Sequence, residues 1–102
     1  MRGRNTLMDW ELNKWMQEIT KAIASFESGN LDEIGVDFTH SDVCPINLCM
    51  ALEALDWYEY DSHLDWDYGY YAFKHSDYSY KIFVEFNPYT FALTLTIQKG
   101  VK

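Results

Sequence analysis

Residues 78–99, YSYKIFVEFNPYTFALTLTIQK, decide the fold because apolar and polar side chains alternate along both halves of the segment. The even positions from Tyr78 to Phe86 are apolar in the first half, and the odd positions from Phe91 to Ile97 are apolar in the second. A period of two is typical of strands with one buried face. The NPYT segment between the halves has turn-forming residues, so the whole stretch predicts a β-hairpin.

Three shorter segments extend this predicted sheet. Residues 66–74 predict a third strand, which the HSD turn at 75–77 joins to the hairpin. Residues 56–60 predict a fourth strand. Residues 34–40, IGVDFTH, alternate apolar and polar side chains and predict a short, half-buried strand near the N-terminal side of the chain.

Two segments have helical periodicity. Thr6 is the predicted N-cap of the first helix, with Asp9 three residues later as in a capping box, and Ser28-Gly29-Asn30 ends the helix. Pro45 suits the first position of a second helix. The predicted apolar stripe of the first helix is Met8, Leu12, Trp15, Met16, Ile19, Ala22, Ile23 and Phe26, and that of the second is Ile46, Leu48, Cys49, Leu52 and Leu55.

These patterns predict an α+β fold in a single domain over residues 1–102. We expect an antiparallel meander sheet of three to five strands, with the long N-terminal amphipathic helix packed on one face, and a second, shorter helix. A chain of this length buries roughly 65% of its unfolded surface without metal or disulfide support. Cys44 and Cys49 are five residues apart on a predicted helix, so their side chains point in different directions and we expect reduced thiols. No cofactor is expected.

The net charge of −8 excludes some classes of partner. Phosphate recognition needs a basic surface, so we expect no direct binding of nucleic acid or anionic membranes, and a basic partner is favoured instead. No apolar run approaches the roughly 20 residues of a membrane span, and the first ten residues lack the apolar stretch of a secretory signal. We therefore expect a cytoplasmic protein.

The charges are strongly segregated along the chain. Between Lys21 and Lys74 there are eleven acidic residues and no lysine or arginine, whereas the rest of the chain has five acids and eight bases. Like charges that are clustered repel one another and oppose folding. An indifferent surface usually mixes both signs, so this clustering favours a functional origin.

Residues 56–71, DWYEYDSHLDWDYGYY, combine five carboxylates with seven aromatic rings and contain no lysine or arginine. Tyr and Trp are enriched at protein interfaces, and clustered carboxylates accelerate association with a basic partner. The alternative is that the rings belong to the core and the acids to the solvated face of two strands. The predicted partner-binding residues are Asp56, Trp57, Tyr58, Glu59, Tyr60, Asp61, Asp65, Trp66, Asp67 and Tyr68.

The sequence has no positive sign of catalysis. Histidine adjoins Ser and Asp three times, at 40–42, 61–63 and 75–77, but neighbouring residues point apart and do not form a triad. DSHLDWD at 61–67 would place Asp61, His63, Asp65 and Asp67 on one side of an extended chain, so a metal-binding protein or metal-dependent enzyme is one alternative. A structural or assembly protein that forms a homodimer through surface aromatics is another.

We therefore expect a small non-enzymatic inhibitor that occupies the cationic surface of a nuclease or other nucleic-acid-binding protein. In size and charge layout the sequence is similar to phage inhibitors of host defence nucleases, including anti-CRISPR proteins, and to immunity proteins that neutralise nuclease toxins. Alternate residues on a strand lie about 6.7 Å apart, about twice the phosphate spacing of about 3.4 Å along a DNA strand. DNA mimicry would thus need a second acidic row, for which Asp32, Glu33, Asp37 and Asp42 are available.

Overall fold

A computed structural model describes residues 9–100 and confirms the predicted α+β architecture. Five antiparallel strands form one sheet in the order β1-β5-β4-β3-β2, and two helices complete the fold. The N-cap predicted at Thr6 and the apolar position at Met8 lie outside the described residues. The elements are α1 (Asp9–Ser28), β1 (Glu33–Asp37), α2 (Pro45–Ala54), β2 (Tyr58–Leu64), β3 (Gly69–Lys74), β4 (Lys81–Phe86) and β5 (Leu93–Gln98).

The predicted hairpin forms the centre of the sheet. In the register of β4 and β5, Ile82 lies opposite Ile97 and Val84 lies opposite Leu95, and all four side chains are completely buried. Directly opposed residues lie on the same side of a sheet, so these pairs define one apolar face. Both helices contribute buried side chains to the same core cluster and therefore cover this face. β2, β3, β4 and β5 form the meander, and β1 pairs with the free edge of β5.

The stripe on α1 explains how the helix packs. Trp15, Ile19, Ala22 and Phe26 recur at intervals of three and four residues, and all four are buried. After the helix ends, Asn30 has a φ of 51°, a left-handed conformation that Asn tolerates better than most residues.

Three side chains predicted to be buried are exposed instead. Tyr78 is 40% exposed, because β4 begins only at Lys81. Ile46 on α2 is 51% exposed. Leu48 and Leu52 define the buried side of this helix, and Ile46, two residues before Leu48, is rotated about 200° away from it. Phe91 is 79% exposed, because β5 begins only at Leu93 and Phe91 lies in the turn that precedes it. All three predictions were wrong.

The strand boundaries on the other side of the sheet also differ from the prediction. β2 runs on to Leu64, where we expected a strand that ended at residue 60. Residues 65–68 then form a turn, in which the Asp65 amide donates to the Tyr68 carbonyl over 2.7 Å, so β3 begins at Gly69 and not at residue 66. This turn places Trp66 and Asp67 at the end of the sheet.

Candidate interaction surface

The face of the sheet away from the helices, called the open face here, presents two different ends. By strand register, one row crosses this face from Asp37 through Thr94, Glu85 and Tyr70 to His63. The row at the other end runs from Glu33 through Gln98, Lys81 and Lys74 to Tyr58. Four residues separate the two rows along each of β3 and β4, which corresponds to about 13 Å.

The two lysines of the open face are at the end away from the 65–68 turn. Lys74 Nζ lies 4.9 Å, and Lys81 Nζ 5.4 Å, from the centre of the Tyr60 ring, as cation–π contacts require. Their charges are therefore near the first half of β2. The opposite end of the sheet has Glu85 on the open face and the acids of the 65–68 turn beyond it, and no described lysine lies in that row or turn. Asp61 lies between the two end rows, opposite Ala72.

The ten predicted partner-binding residues do not form one surface. Trp57 is only 3% exposed and packs in the core against Tyr78 and Tyr80. The aromatic pattern alone did not distinguish this buried ring from the exposed rings around it. Glu59 lies opposite the buried Phe73 and is therefore on the helix side of the sheet. Asp56 precedes β2, and Tyr58 and Tyr60 lie at the lysine end of the open face. Of the remaining five, Asp65, Trp66, Asp67 and Tyr68 form the 65–68 turn, and Asp61 lies in the middle of β2 on the open face, opposite Ala72.

A bulge decides how β2 divides between the two faces. The pairing with β3 shifts between Glu59 and Asp61, so Tyr60 has no direct partner. As a result, Asp61 lies opposite Ala72 on the open face, together with His63 opposite Tyr70. All seven residues of β2 are exposed, as befits the last strand of the sheet.

Tyrosine hydroxyls hold two of the carboxylates in place. Tyr70 donates to Asp61 over 2.9 Å, and Tyr68 donates to Glu85 over 3.0 Å. The Thr96 hydroxyl donates to the other oxygen of Glu85 over 2.8 Å. The bond to Asp61 raises the pKa of Tyr70, while desolvation and the bond to Glu85 raise the pKa of Tyr68. Both hydroxyls therefore stay protonated at neutral pH and keep the carboxylates in fixed positions.

His63 belongs to the same group. Its Nε2 lies 2.8 Å from a carboxylate oxygen of Asp65, and its ring stacks on Tyr70 at a centroid distance of 5.9 Å. The histidine thus joins the end of β2 to the turn that follows it.

Sequence reasoning missed the second turn that contributes to this end of the sheet. In a meander, the β2–β3 turn and the β4–β5 turn lie at the same end, so Tyr89 approaches Trp66 with ring centroids 6.3 Å apart. The four most exposed large hydrophobic residues in the described part of the chain are Leu64 (68%), Trp66 (77%), Tyr89 (76%) and Phe91 (79%). We define the turn-end surface as Asp61, Leu64, Asp65, Trp66, Asp67, Tyr68, Glu85, Tyr89 and Phe91.

The acidic character of the middle of the chain is largely uncompensated within residues 9–100. Of the eleven acids between Lys21 and Lys74, only Asp32 forms an ion pair with a described lysine, at 3.5 Å from Lys99. Glu33 and Asp37 are on β1, which is four strand spacings, or about 19 Å, from β2 at the other edge. They therefore do not form a second acidic row beside Asp61, so the turn-end surface does not present the double row that DNA mimicry needs.

The described residues give the metal hypothesis no geometric support. No group of three or more His, Cys, Asp or Glu side chains within residues 9–100 is placed to hold a metal ion. Asp61 and His63 contact tyrosine rings or hydroxyls on β3, and Asp65 pairs with His63.

The chain has no match among protein-family models, curated proteins or solved structures. Neither helix in the described range is long and apolar enough to cross a membrane.

Proposed function

We propose that this protein is a small, non-enzymatic, cytoplasmic binding protein that inhibits a basic nucleic-acid-handling protein by covering its cationic surface. The partner class includes nucleases, so the biological setting is phage anti-defence, as with anti-CRISPR inhibitors, or immunity against a nuclease toxin. The observation that carries the proposal is the turn-end surface, where exposed aromatic and aliphatic side chains lie among carboxylates and away from the lysines.

Each component of this surface has a separate physical role. Trp66 and Tyr89 offer large, rigid contact areas, the kind of residue that supplies most of the affinity at protein interfaces. Asp65 and Asp67, neither of which pairs with a described lysine, provide a negative field that increases the association rate with a cationic protein. Because the Tyr70 hydroxyl already holds Asp61 in place, less conformational entropy is lost when a partner binds.

The test compares two triple variants with equal net charge. D61N/D65N/D67N neutralises three acids at the turn end, and D42N/E53Q/D77N neutralises three exposed acids elsewhere. Each variant and the wild-type protein are immobilised, exposed to bacterial lysate, and eluted with a salt gradient.

We expect the wild-type protein and the second variant to retain a basic nuclease or nucleic-acid-binding protein that elutes at moderate ionic strength. We expect the turn-end variant to lose it, with an unchanged or higher melting temperature because charge repulsion is reduced. Equal loss from both variants, or capture that survives in D61N/D65N/D67N, would reject the proposal.

A homodimer is the second candidate, because exposed apolar rings at one end of a sheet also suit a self-complementary contact. Two copies would place the carboxylates of this end close to one another, which costs free energy at low salt. Light scattering distinguishes the two. A tight dimer at micromolar concentration that W66A converts to a monomer would favour assembly, and a monomer at that concentration would count against it.

A further inference from the structure

A small groove opens at the turn end between the β2–β3 turn and the β4–β5 turn. Its volume is about 270 Å³, and its walls are Tyr68, Glu85, Phe86, Asn87, Ala92 and Thr94. Pockets for drug-sized ligands start at roughly 300 Å³ and are usually closed on most sides. An open groove of this size fits one side chain of a docked protein better than a free small molecule.

Among the described residues that form the groove walls, Glu85 is the only charged one. Its two carboxylate oxygens each accept one hydroxyl hydrogen bond, from Thr96 and from Tyr68. A carboxylate has about four acceptor positions, so roughly half of its capacity is unused. No lysine, arginine or histidine within residues 9–100 forms an ion pair with Glu85. The groove therefore presents a fixed anion without a counter-charge from the described chain.

The geometry favours a guanidinium group over an ammonium group. Both oxygens of Glu85 are held in fixed positions by neutral donors, and a planar guanidinium can donate to both oxygens at once, whereas an ammonium acts as a point charge. The aromatic ring of Tyr68 provides a surface on which a guanidinium stacks. Ala92 provides apolar contact for the methylene groups of the same side chain.

We propose that the groove is a docking site for a single arginine side chain of the partner protein, paired with Glu85 and stacked on Tyr68. This inference rests on the proposed function, since it assumes that a basic protein approaches the turn end. A nucleic-acid-binding protein presents arginines on the surface that the turn end would cover. The groove thus provides specificity at a fixed point, while the surrounding acids act at longer range.

The test uses nuclear magnetic resonance titration of the full-length chain with three defined probes. The probes are acetyl-arginine methylamide, the corresponding lysine compound, and the citrulline compound, which has nearly the same shape as arginine without its charge. We expect the arginine probe to shift the amide signals of Tyr68, Glu85 and Thr94, with weak affinity on the order of 1 mM or above because one side chain makes few contacts. We expect the lysine probe to bind several-fold more weakly and the citrulline probe to produce no shift at these positions.

A matched pair of variants isolates the carboxylate. E85Q should weaken binding of the arginine probe by about tenfold, while E53Q, the same change at an exposed position on α2, should leave it unchanged. The melting temperature of E85Q shows whether the fold is intact, and Y68F, which keeps the ring, should retain most of the binding. Shifts that are absent from the groove, or equal affinities of E85Q and E53Q, would overturn the inference.

The chain's own arginines are the competing occupant, because its only two are Arg2 and Arg4. R2Q/R4Q should bind the arginine probe as the wild-type chain does, and a clear gain in affinity would assign the groove to the chain itself.

The two proposals fail separately. If the probe misses the groove but D61N/D65N/D67N still loses its partner, only the arginine site is rejected. If that variant keeps its partner, the proposed function falls and the titration alone decides the arginine site.

Discussion

Replacing Phe91 by glycine should leave the stability of the protein nearly unchanged, although an alternating strand pattern would place this phenylalanine in the core. Phe91 has a φ of 66° and is 79% exposed. A left-handed conformation costs a residue with a Cβ atom about 1–2 kcal/mol, and glycine does not have this cost.

Two smaller effects oppose this gain. Complete burial of a phenylalanine contributes about 1.5–3 kcal/mol, and only about a fifth of this side chain is covered, so its removal loses roughly 0.3–0.6 kcal/mol. The extra freedom of glycine in the unfolded chain costs about 0.5–1 kcal/mol more. The three contributions together leave the free energy of unfolding between about 0.6 kcal/mol lower and about 1.2 kcal/mol higher. For a domain of this size, 1 kcal/mol corresponds to a melting temperature about 4–8 °C higher.

The assay is urea unfolding followed by tryptophan fluorescence, with F73A as the reference. Phe73 is completely buried, so its truncation should cost about 3–5 kcal/mol. A loss of more than about 2 kcal/mol in F91G would refute the reasoning, because it would mean that the ring is packed in the fold and that the turn has a different conformation.

Three further predictions concern the core and its titrating groups. Gly69→Ala should destabilise the fold by about 1–3 kcal/mol, measured by urea unfolding, because a Cβ atom there would lie 2.5 Å from Cζ of Phe86; a neutral result would contradict this packing. Cys44 is exposed, whereas burial raises the pKa of the Cys49 thiol to about 12, so a thiol reagent at pH 8 should modify one cysteine per native chain and both after unfolding. Burial, and a hydrogen bond to a carboxylate on α1, raise the pKa of Tyr80 above its ordinary value of 10. The unfolded chain releases this proton at a lower pH than the folded chain does. The contribution of Tyr80 to the free energy of unfolding is therefore complete below pH 10 and is lost as the pH rises further. Above pH 10, the free energy of unfolding should fall less steeply in Y80F than in the wild-type protein.

The main elements of the fold follow from local periodicity, but some of their ends do not. Alternation continues from Leu93 back to Phe91, so a period of two cannot show where β5 begins. The start is set by Asn87, whose side-chain oxygen accepts from the amides of Tyr89 and Thr90 and closes a turn through residue 92. Such a bond depends on the turn conformation, which the sequence pattern alone does not specify.

The candidate surface was only half predictable for a similar reason. The sequence indicates that residues 56–71 are acidic and aromatic, but a bulge at Tyr60 changes which side chains share a face after it. The contribution of Tyr89 depends on the order of the strands, because it lies about twenty residues from Trp66 and approaches it only through the meander. A topology argument applied to the predicted hairpins would have found this contact.

Protection of the sheet edge explains only part of the acidic stretch. An exposed last strand invites pairing with other chains, and charged side chains and bulges are common means of preventing it. Glu59 and the bulge at Tyr60 fit that role, since β2 is exposed along its whole length and is the last strand of the sheet. Protection does not account for Trp66 and Phe91, because exposed apolar rings beside an edge promote association. Phe91 also holds a backbone conformation that is unfavourable for its residue type and gains little burial in return. We therefore give the two halves of the stretch different explanations: edge protection accounts for the first half of β2, and partner binding is our proposal for the turn end.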